Sequence, residues 1–227
     1  MTAPVDTVLF DLDDTLCTYR RSVPEMLDVA FEAVGVDPFF AAPDYYERYD
    51  RFVDDCSGMR ELRATCFASL AEETGYDPDL GRELAAAYAD ERDHGNVEPL
   101  PGAGSAVEAL AGDHRLAVVT NGAPEMQGQK LSALPFADAF EHVVHAGYDT
   151  PAKPAPDAFH HVLDLLGSDS ARTVHVGNSL RSDVAGAQAA GVRAAWLAGE
   201  AGQHPGTDEP TPEYVLESLG ELTDPPW

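Results

Sequence analysis

The densest chemistry in the chain is Asp11-Leu12-Asp13-Asp14-Thr15, directly after the apolar run Val8-Leu9-Phe10. Two carboxylates two residues apart on one turn can divide their labour, one as nucleophile or metal ligand and the other as general acid and base. A solvated acidic turn in an acidic chain would carry the same residues. Val118-Val119-Thr120-Asn121-Gly122 offers a hydroxyl and an amide that can donate hydrogen bonds to phosphoryl oxygens; a plain turn with a helix cap reads the same way. Lys153, followed by Pro154 and Pro156, stands at the entry of a helix, where its charge can neutralise a transferring phosphoryl group. The chain has only two lysines, Lys130 and Lys153, so surface filler is a poor account of Lys153. Gly177-Asn178-Ser179-Leu180-Arg181-Ser182-Asp183 couples a sharp turn to hard oxygen donors of the kind that suit Mg²⁺. It is also a serviceable cap for the helix that starts at Ser182.

These four segments need strand ends to hold them. Val5 to Phe10, Arg115 to Val119, His142 to His145, Thr173 to Val176, Val192 to Leu197 and, more briefly, Tyr214 to Leu216 read as short buried strands. Helical stretches at Pro124 to Leu134, Pro156 to Leu166 and Ser182 to Ala190 alternate with them. That alternation implies an α/β fold with a central parallel sheet covered on both faces. In such a sheet the ligand lies outside the carboxyl ends of the strands, where all four segments fall. Residues 17–96 break the alternation: Ser22 to Val34, Asp44 to Asp54, Met59 to Thr74 and Pro78 to His94 all read as helices. The expected organisation is a core of 1–16 and 97–227 with an all-helical insert at 17–96, hinged near Cys17-Thr18 and Asn96 to Gly104. Gly199 to Pro212 reads as a surface loop.

Of the 227 residues, 44% are hydrophobic, ordinary for a packed domain. Forty acids against fourteen basic residues give a formal net charge of −26. Self-repulsion on that scale is relieved where salt shortens the screening length to about 3 Å at 1 M, so a salt-loving source is expected. The same charge argues against nucleic acid and anionic membrane as partners. No apolar run approaches the ~18 residues of a span, and Met1 to Asp6 shows no basic segment followed by an apolar one, so a cytoplasmic location is expected. Cys17, Cys56 and Cys66 form no CxxC pair and fit reduced, packed thiols.

Taken in order, DLDDT, VVTNG, KP and GNSLRSD resemble the four motifs of the haloacid dehalogenase-like (HAD) hydrolase superfamily, over nearly the whole chain. The resemblance implies a Rossmann-like three-layer core and a helical cap, and Asp-Leu-Asp-Asp-Thr-Leu points to the phosphatase branch. It implies that Asp11 attacks phosphorus and forms an aspartyl-phosphate, and that Asp13 protonates the leaving oxygen and then activates water. It implies that Thr120 and the Asn121 backbone hold phosphoryl oxygens, that Lys153 steadies Asp11 and the phosphate, and that Mg²⁺ is held by Asp11, the Asp13 carbonyl, Asn178 and Asp183. One position departs from the pattern, since the fourth motif usually begins Gly-Asp and here is Gly177-Asn178. A neutral amide lowers the expected metal affinity and leaves a weakened or repurposed site open.

The expected substrate is a small phosphorylated metabolite whose leaving group is read by the helical block. Arg20 and Arg21, just after the first motif, are candidates to grip it. The alternatives are a 2-haloacid dehalogenase, a phosphate-shuttling mutase, and a binding module that kept the fold. The superfamily's dehalogenases lack an acid at the position of Asp13, which argues against the first. Phosphonate hydrolysis needs a cap lysine, and 17–96 has none. Arg48/Arg51 and Arg60/Arg63 read as surface ion pairs with Asp44, Glu47, Asp55 and Glu61, His145 and His175 as packed histidines, and Tyr45, Tyr46, Tyr49 and Phe52 as a core stripe.

Overall fold

Each strand of the sheet presents its side chains alternately to two faces, and both faces are apolar. On β1 (Thr7–Phe10), Val8 and Phe10 join one buried cluster and Leu9 the other. On β4 (Arg115–Thr120), Leu116 and Val118 face one way and Ala117 and Val119 the other. A strand with no polar face must be covered on both sides. The first cluster is closed by α5 (Ala103–Leu110) and by Leu219 and Leu222 near the C-terminus. The second is closed by α7 (Asp157–Leu166), by Ala187 of α8 (Ala185–Ala189) and by Val184 just before it. The result is a three-layer, Rossmann-like α/β core.

The computed structural model describes residues 3–56, 58–199 and 202–227. With β5 (His142–His145), β6 (Thr173–Gly177), β7 (Arg193–Leu197) and β8 (Tyr214–Leu216), the six-stranded sheet runs β5-β4-β1-β6-β7-β8. All its pairings are parallel, so β1 is flanked by β4 and β6 and the three carboxyl ends lie side by side. The six strands are those expected from the sequence. Two further strands were not: β2 (Cys17–Tyr19) pairs antiparallel with β3 (Val97–Pro99). Three residues each are too few for a period to show. The helix α5 was also unread, because Ala103-Gly104-Ser105-Ala106 looks like hinge composition.

The chain divides into two compact units, Met1–Tyr19 with His94–Trp227, and Arg20–Asp93. The second consists of α1 (Val23–Val34), α2 (Ala42–Phe52), α3 (Met59–Glu73) and α4 (Pro78–Asp90). It begins with a capping box between Ser22 and Glu25 and has its own core around Phe31, Phe67, Leu84 and Tyr88. Tyr45 is buried there, with Tyr49 and Phe52 packed against it, while Tyr46 is exposed. Arg48 pairs with Glu47 and Glu73, and Arg63 lies over the Tyr88 ring. Among the described residues no helix is long and apolar enough to cross a membrane. The α6 helix (Pro124–Ser132) follows β4 in the sheet unit.

Candidate active site

One residue past β1, the Asp11 amide still donates to the Val176 carbonyl at 2.9 Å, so the strand delivers Asp11 to the sheet edge in register with β6. The chain then turns tightly: the Leu12 carbonyl accepts from Leu16 at 3.0 Å and from Cys17 at 3.2 Å, and Asp14 takes the left-handed conformation at φ 53°. Aspartate tolerates that region better than most residues because its short side chain bonds locally. Leu12 and Leu16 are buried in the core and anchor the turn.

Lys153 reaches this turn from the loop before α7. Its ammonium donates at 2.7 Å to each of three acceptors, Asp11 Oδ1, Asp183 Oδ1 and the Val119 carbonyl. Three donors meet three acceptors, so the buried charge is fully satisfied. Burial would lower the Lys153 pKa, but Asp11 and Asp183 outweigh it and raise it. The Lys153 main chain is clamped in turn by Asn121, whose Oδ1 accepts from the Lys153 amide at 2.8 Å while its Nδ2 donates to the Lys153 carbonyl at 3.1 Å. The Asn121 side chain therefore orients Lys153, which leaves its backbone as the group available to a phosphate.

Asp183 is 1% exposed, and both its oxygens are engaged. Oδ1 accepts from Lys153 and from His175 Nε2 at 3.2 Å, and Oδ2 accepts from the Ser179 amide at 3.0 Å. Burial would raise its pKa, but Lys153 and His175 hold it well below the usual carboxylate range. His175 is packed as expected, edge-on to Phe159 at 4.9 Å, and burial keeps it neutral, so its contact with Asp183 is a hydrogen bond rather than an ion pair. A Cβ at Gly177 would come within 2.4 Å of the Asp183 carboxyl carbon, which explains the glycine there by close approach. Asp11 behaves oppositely. Its burial, with the Asp183 and Asp13 charges, overcomes Lys153 and pushes its pKa up to about 7.

Two residues that sequence reasoning missed complete the site. Gln127 and Lys130, both on α6, donate to Asp13: Gln127 Nε2 to Oδ2 at 2.7 Å and Lys130 Nζ to Oδ1 at 2.5 Å. Gln127 Nε2 also donates to Thr120 Oγ1 at 2.8 Å, and the Gly122 amide donates to the same oxygen at 3.3 Å. Thr120 accepts in both, so its hydroxyl hydrogen is left to donate. A Cβ at Gly122 would lie 1.8 Å from Gln127 Nε2, so the glycine of the second motif makes room for that amide. The signal for Lys130 was the lysine scarcity that singled out Lys153.

The structure thus brings together Asp11, Asp13, Thr120, Asn121, Lys153 and Asp183. Asn178 joins the first turn by accepting from Thr15 Oγ1 at 3.4 Å, with its backbone carbonyl taken by Trp196 Nε1 at 2.8 Å. Arg20 and Arg21 open the helical unit and are exposed. The donor set suits a hard divalent cation. Three carboxylates share two lysines, and burial with the Asp183 and Asp13 charges pushes the Asp11 pKa up to about 7, so a cation beside Asp11 would relieve that charge. The Asp11 carboxylate, the Asp13 carbonyl and the Asn178 amide are all oxygen donors of the kind Mg²⁺ takes. Among the described residues no three acidic, histidine or cysteine side chains cluster as a metal site, which is compatible with a set that uses one carbonyl and one amide.

The strand-borne Asp-x-Asp turn braced by a lysine on a parallel sheet is the arrangement that the resemblance to haloacid dehalogenase-like hydrolases implies, and comparison with known proteins shows the family. Residues 5–191 match the haloacid dehalogenase-like hydrolase model, and the chain belongs to that family. It is 34% identical over 248 aligned residues to the phosphoserine phosphatase of Thermus thermophilus, covering 95% of this chain and 96% of the relative. The magnesium-bound structure of the HAD-hydrolase YfnB of Bacillus subtilis superposes with a TM-score of 0.73 at 25% identity, covering 97% of both chains. A 2-haloacid dehalogenase of Pseudomonas syringae pv. tomato superposes with a TM-score of 0.63 at 27% identity, covering 96% of both.

Proposed function

We propose that this chain is a Mg²⁺-dependent phosphatase that cleaves a small phosphorylated metabolite through an aspartyl-phosphate on Asp11. The observation that carries the reading is the pair of carboxylates on one turn, each paired with a different lysine: Asp11 with Lys153, which Asp183 shares, and Asp13 with Lys130. Phosphoryl transfer asks for positioning and charge neutralisation, and this arrangement supplies both.

In the first half-reaction an oxygen of Asp11 attacks phosphorus, the ester P–O bond breaks, and Asp13 gives a proton to the leaving oxygen. In the second, Asp13 takes a proton from water as the water attacks phosphorus. The bond to Asp11 then breaks, releasing phosphate and restoring the carboxylate. Thr120 and the Asn121 amide hold phosphoryl oxygens, and Lys153 balances charge on Asp11 and the phosphoryl group. Mg²⁺, held by Asp11, the Asp13 carbonyl and Asn178, would supply charge neutralisation at the phosphoryl oxygens. Asp183 enters this reading as the partner that fixes Lys153, since it is buried and both its oxygens already accept hydrogen bonds from Lys153, His175 and Ser179.

The helical block of 17–96 is read as the cap that selects the leaving group, with Arg20 and Arg21 as candidates for its charged part. The relative's phosphoserine makes an amino acid phosphate the first substrate to try. A net charge of −26 supports a cytoplasm rich in salt as the working medium and argues against nucleic acid as a partner.

A dehalogenase is the second reading, favoured by Asn178 and by the P. syringae structure. Asp13 argues against it, because carbon–halogen displacement needs no acid for the leaving halide. The test is phosphate release from 4-nitrophenyl phosphate in molar KCl, with and without Mg²⁺, for the native protein and Asp11→Asn. Metal-dependent release lost in the variant supports the phosphatase. Halide release from a 2-haloacid without phosphate release would replace it, and neither activity would leave a binding module.

A further inference from the structure

Both oxygens of Asp13 accept hydrogen bonds from α6, one from Lys130 at 2.5 Å and one from Gln127 at 2.7 Å. The donors are three residues apart on one helix face, and they are 3% and 1% exposed, whereas the Asp13 side chain is 44% exposed. Burying an ammonium is costly, and this chain, which otherwise nearly dispenses with lysine, does so here. Lys130 is itself held from its other side: its ammonium lies 4.8 Å from the centre of the Tyr19 ring, and the Tyr19 hydroxyl meets His94 Nδ1 at 2.7 Å. Gln127 also touches Thr120 Oγ1, so one amide ties Asp13 to the phosphate-binding threonine.

A carboxylate gripped on both oxygens cannot rotate about its Cβ–Cγ bond, and its remaining lone pairs point in fixed directions. We propose that Lys130 and Gln127 are positioning residues that aim the Asp13 carboxyl group, which carries the proton taken from water in the preceding turnover, at the leaving oxygen. The proposal rests on the phosphatase reading above. Aim matters because proton transfer requires the acid within hydrogen-bond reach, and small misplacements cost large factors in rate.

The reaction itself separates aim from mere structural support. Help from a general acid matters more as the leaving oxygen becomes more basic, and kcat/KM reports the half-reaction in which that oxygen departs. Lys130→Met and Gln127→Met would be assayed on 4-nitrophenyl phosphate and on phenyl phosphate, esters of similar shape and different leaving-group basicity. The expected result is a loss of kcat/KM about tenfold greater on phenyl phosphate than on the nitrophenyl ester. Some loss of melting temperature is expected from the deleted bonds, so the comparison is made with the variants folded, and Lys130→Arg would recover part of the loss in rate. Equal losses on the two esters, or no loss, in a folded variant would overturn the proposal. Gln127→Met decides it alone if Lys130→Met does not fold. A native protein that hydrolyses neither ester would instead overturn the phosphatase reading.

Discussion

Asn121 grips the main chain of Lys153 from both sides, accepting from its amide at 2.8 Å and donating to its carbonyl at 3.1 Å. The second motif thereby sets the position of the third, and through the Lys153 ammonium it sets the position of Asp11. Asn121→Ala removes both bonds at once. We expect about 1–2 kcal/mol of lost stability and a fall in kcat of roughly 10- to 100-fold. Asn121→Asp keeps the acceptor for the Lys153 amide but turns a carboxylate oxygen onto the Lys153 carbonyl, so it should lose at least as much. Melting curves and steady-state rates check the order; an alanine variant with native kcat would show that Lys153 needs no clamp.

The Asp11 carboxyl, raised from 3.8 to about 7 by burial, predicts an unusual stability profile. In the absence of Mg²⁺ the folded state binds the Asp11 proton more tightly than the unfolded chain does. Stability then falls as pH rises from about 4 to about 7, because ionisation is disfavoured only in the folded state. Asp11→Asn removes that burden and should melt higher than the native protein at about pH 7.5. The advantage should shrink towards about pH 5, where native Asp11 is protonated. Mg²⁺ should stabilise the native protein more than the variant. A variant that melts lower at neutral pH, or a difference independent of pH, would contradict this electrostatic account.

Asn178 offers a neutral oxygen where the family pattern has a carboxylate. Asn178→Asp should lower the Mg²⁺ concentration for half-maximal rate by about tenfold, within the range that changes around a metal site produce. Without metal, the added charge near Asp11 should depress the melting temperature. Magnesium titrations of rate and of melting read both effects. An unchanged magnesium dependence would place the metal away from Asn178.

The strands were legible because buried parallel strands are short, largely apolar runs rich in β-branched residues and bounded by turn residues, as Val118-Val119 is by Thr120-Asn121-Gly122 and Val174-His175-Val176 is by Gly177-Asn178. Asp11, Asp13 and Lys153 stood out by position and, for Lys153, by rarity. Lys130 carried the same rarity but sits in the last turn of a helix, where a lysine reads as solvated surface, and only tertiary packing reveals that it is buried against Asp13. Gln127 had no sequence signal beyond its spacing from Lys130. The Asn121 amide reads from sequence as a phosphate donor, yet its partner lies 32 positions away at Lys153, a contact that local pattern cannot supply. Asp183 was expected at the metal, and its engagement with Lys153, His175 and Ser179 depends on how β6 and the turn after it fold back.

The central claim is covalent transfer to Asp11, and the most direct measurement is acid quenching of the protein during turnover of 4-nitrophenyl phosphate with Mg²⁺, followed by peptide mass mapping. The account predicts one phosphoryl group on the peptide containing Asp11, its absence in Asp11→Asn, and its loss when Mg²⁺ is withheld. Turnover with no phosphoryl group on that peptide, or with one on another residue, would contradict it.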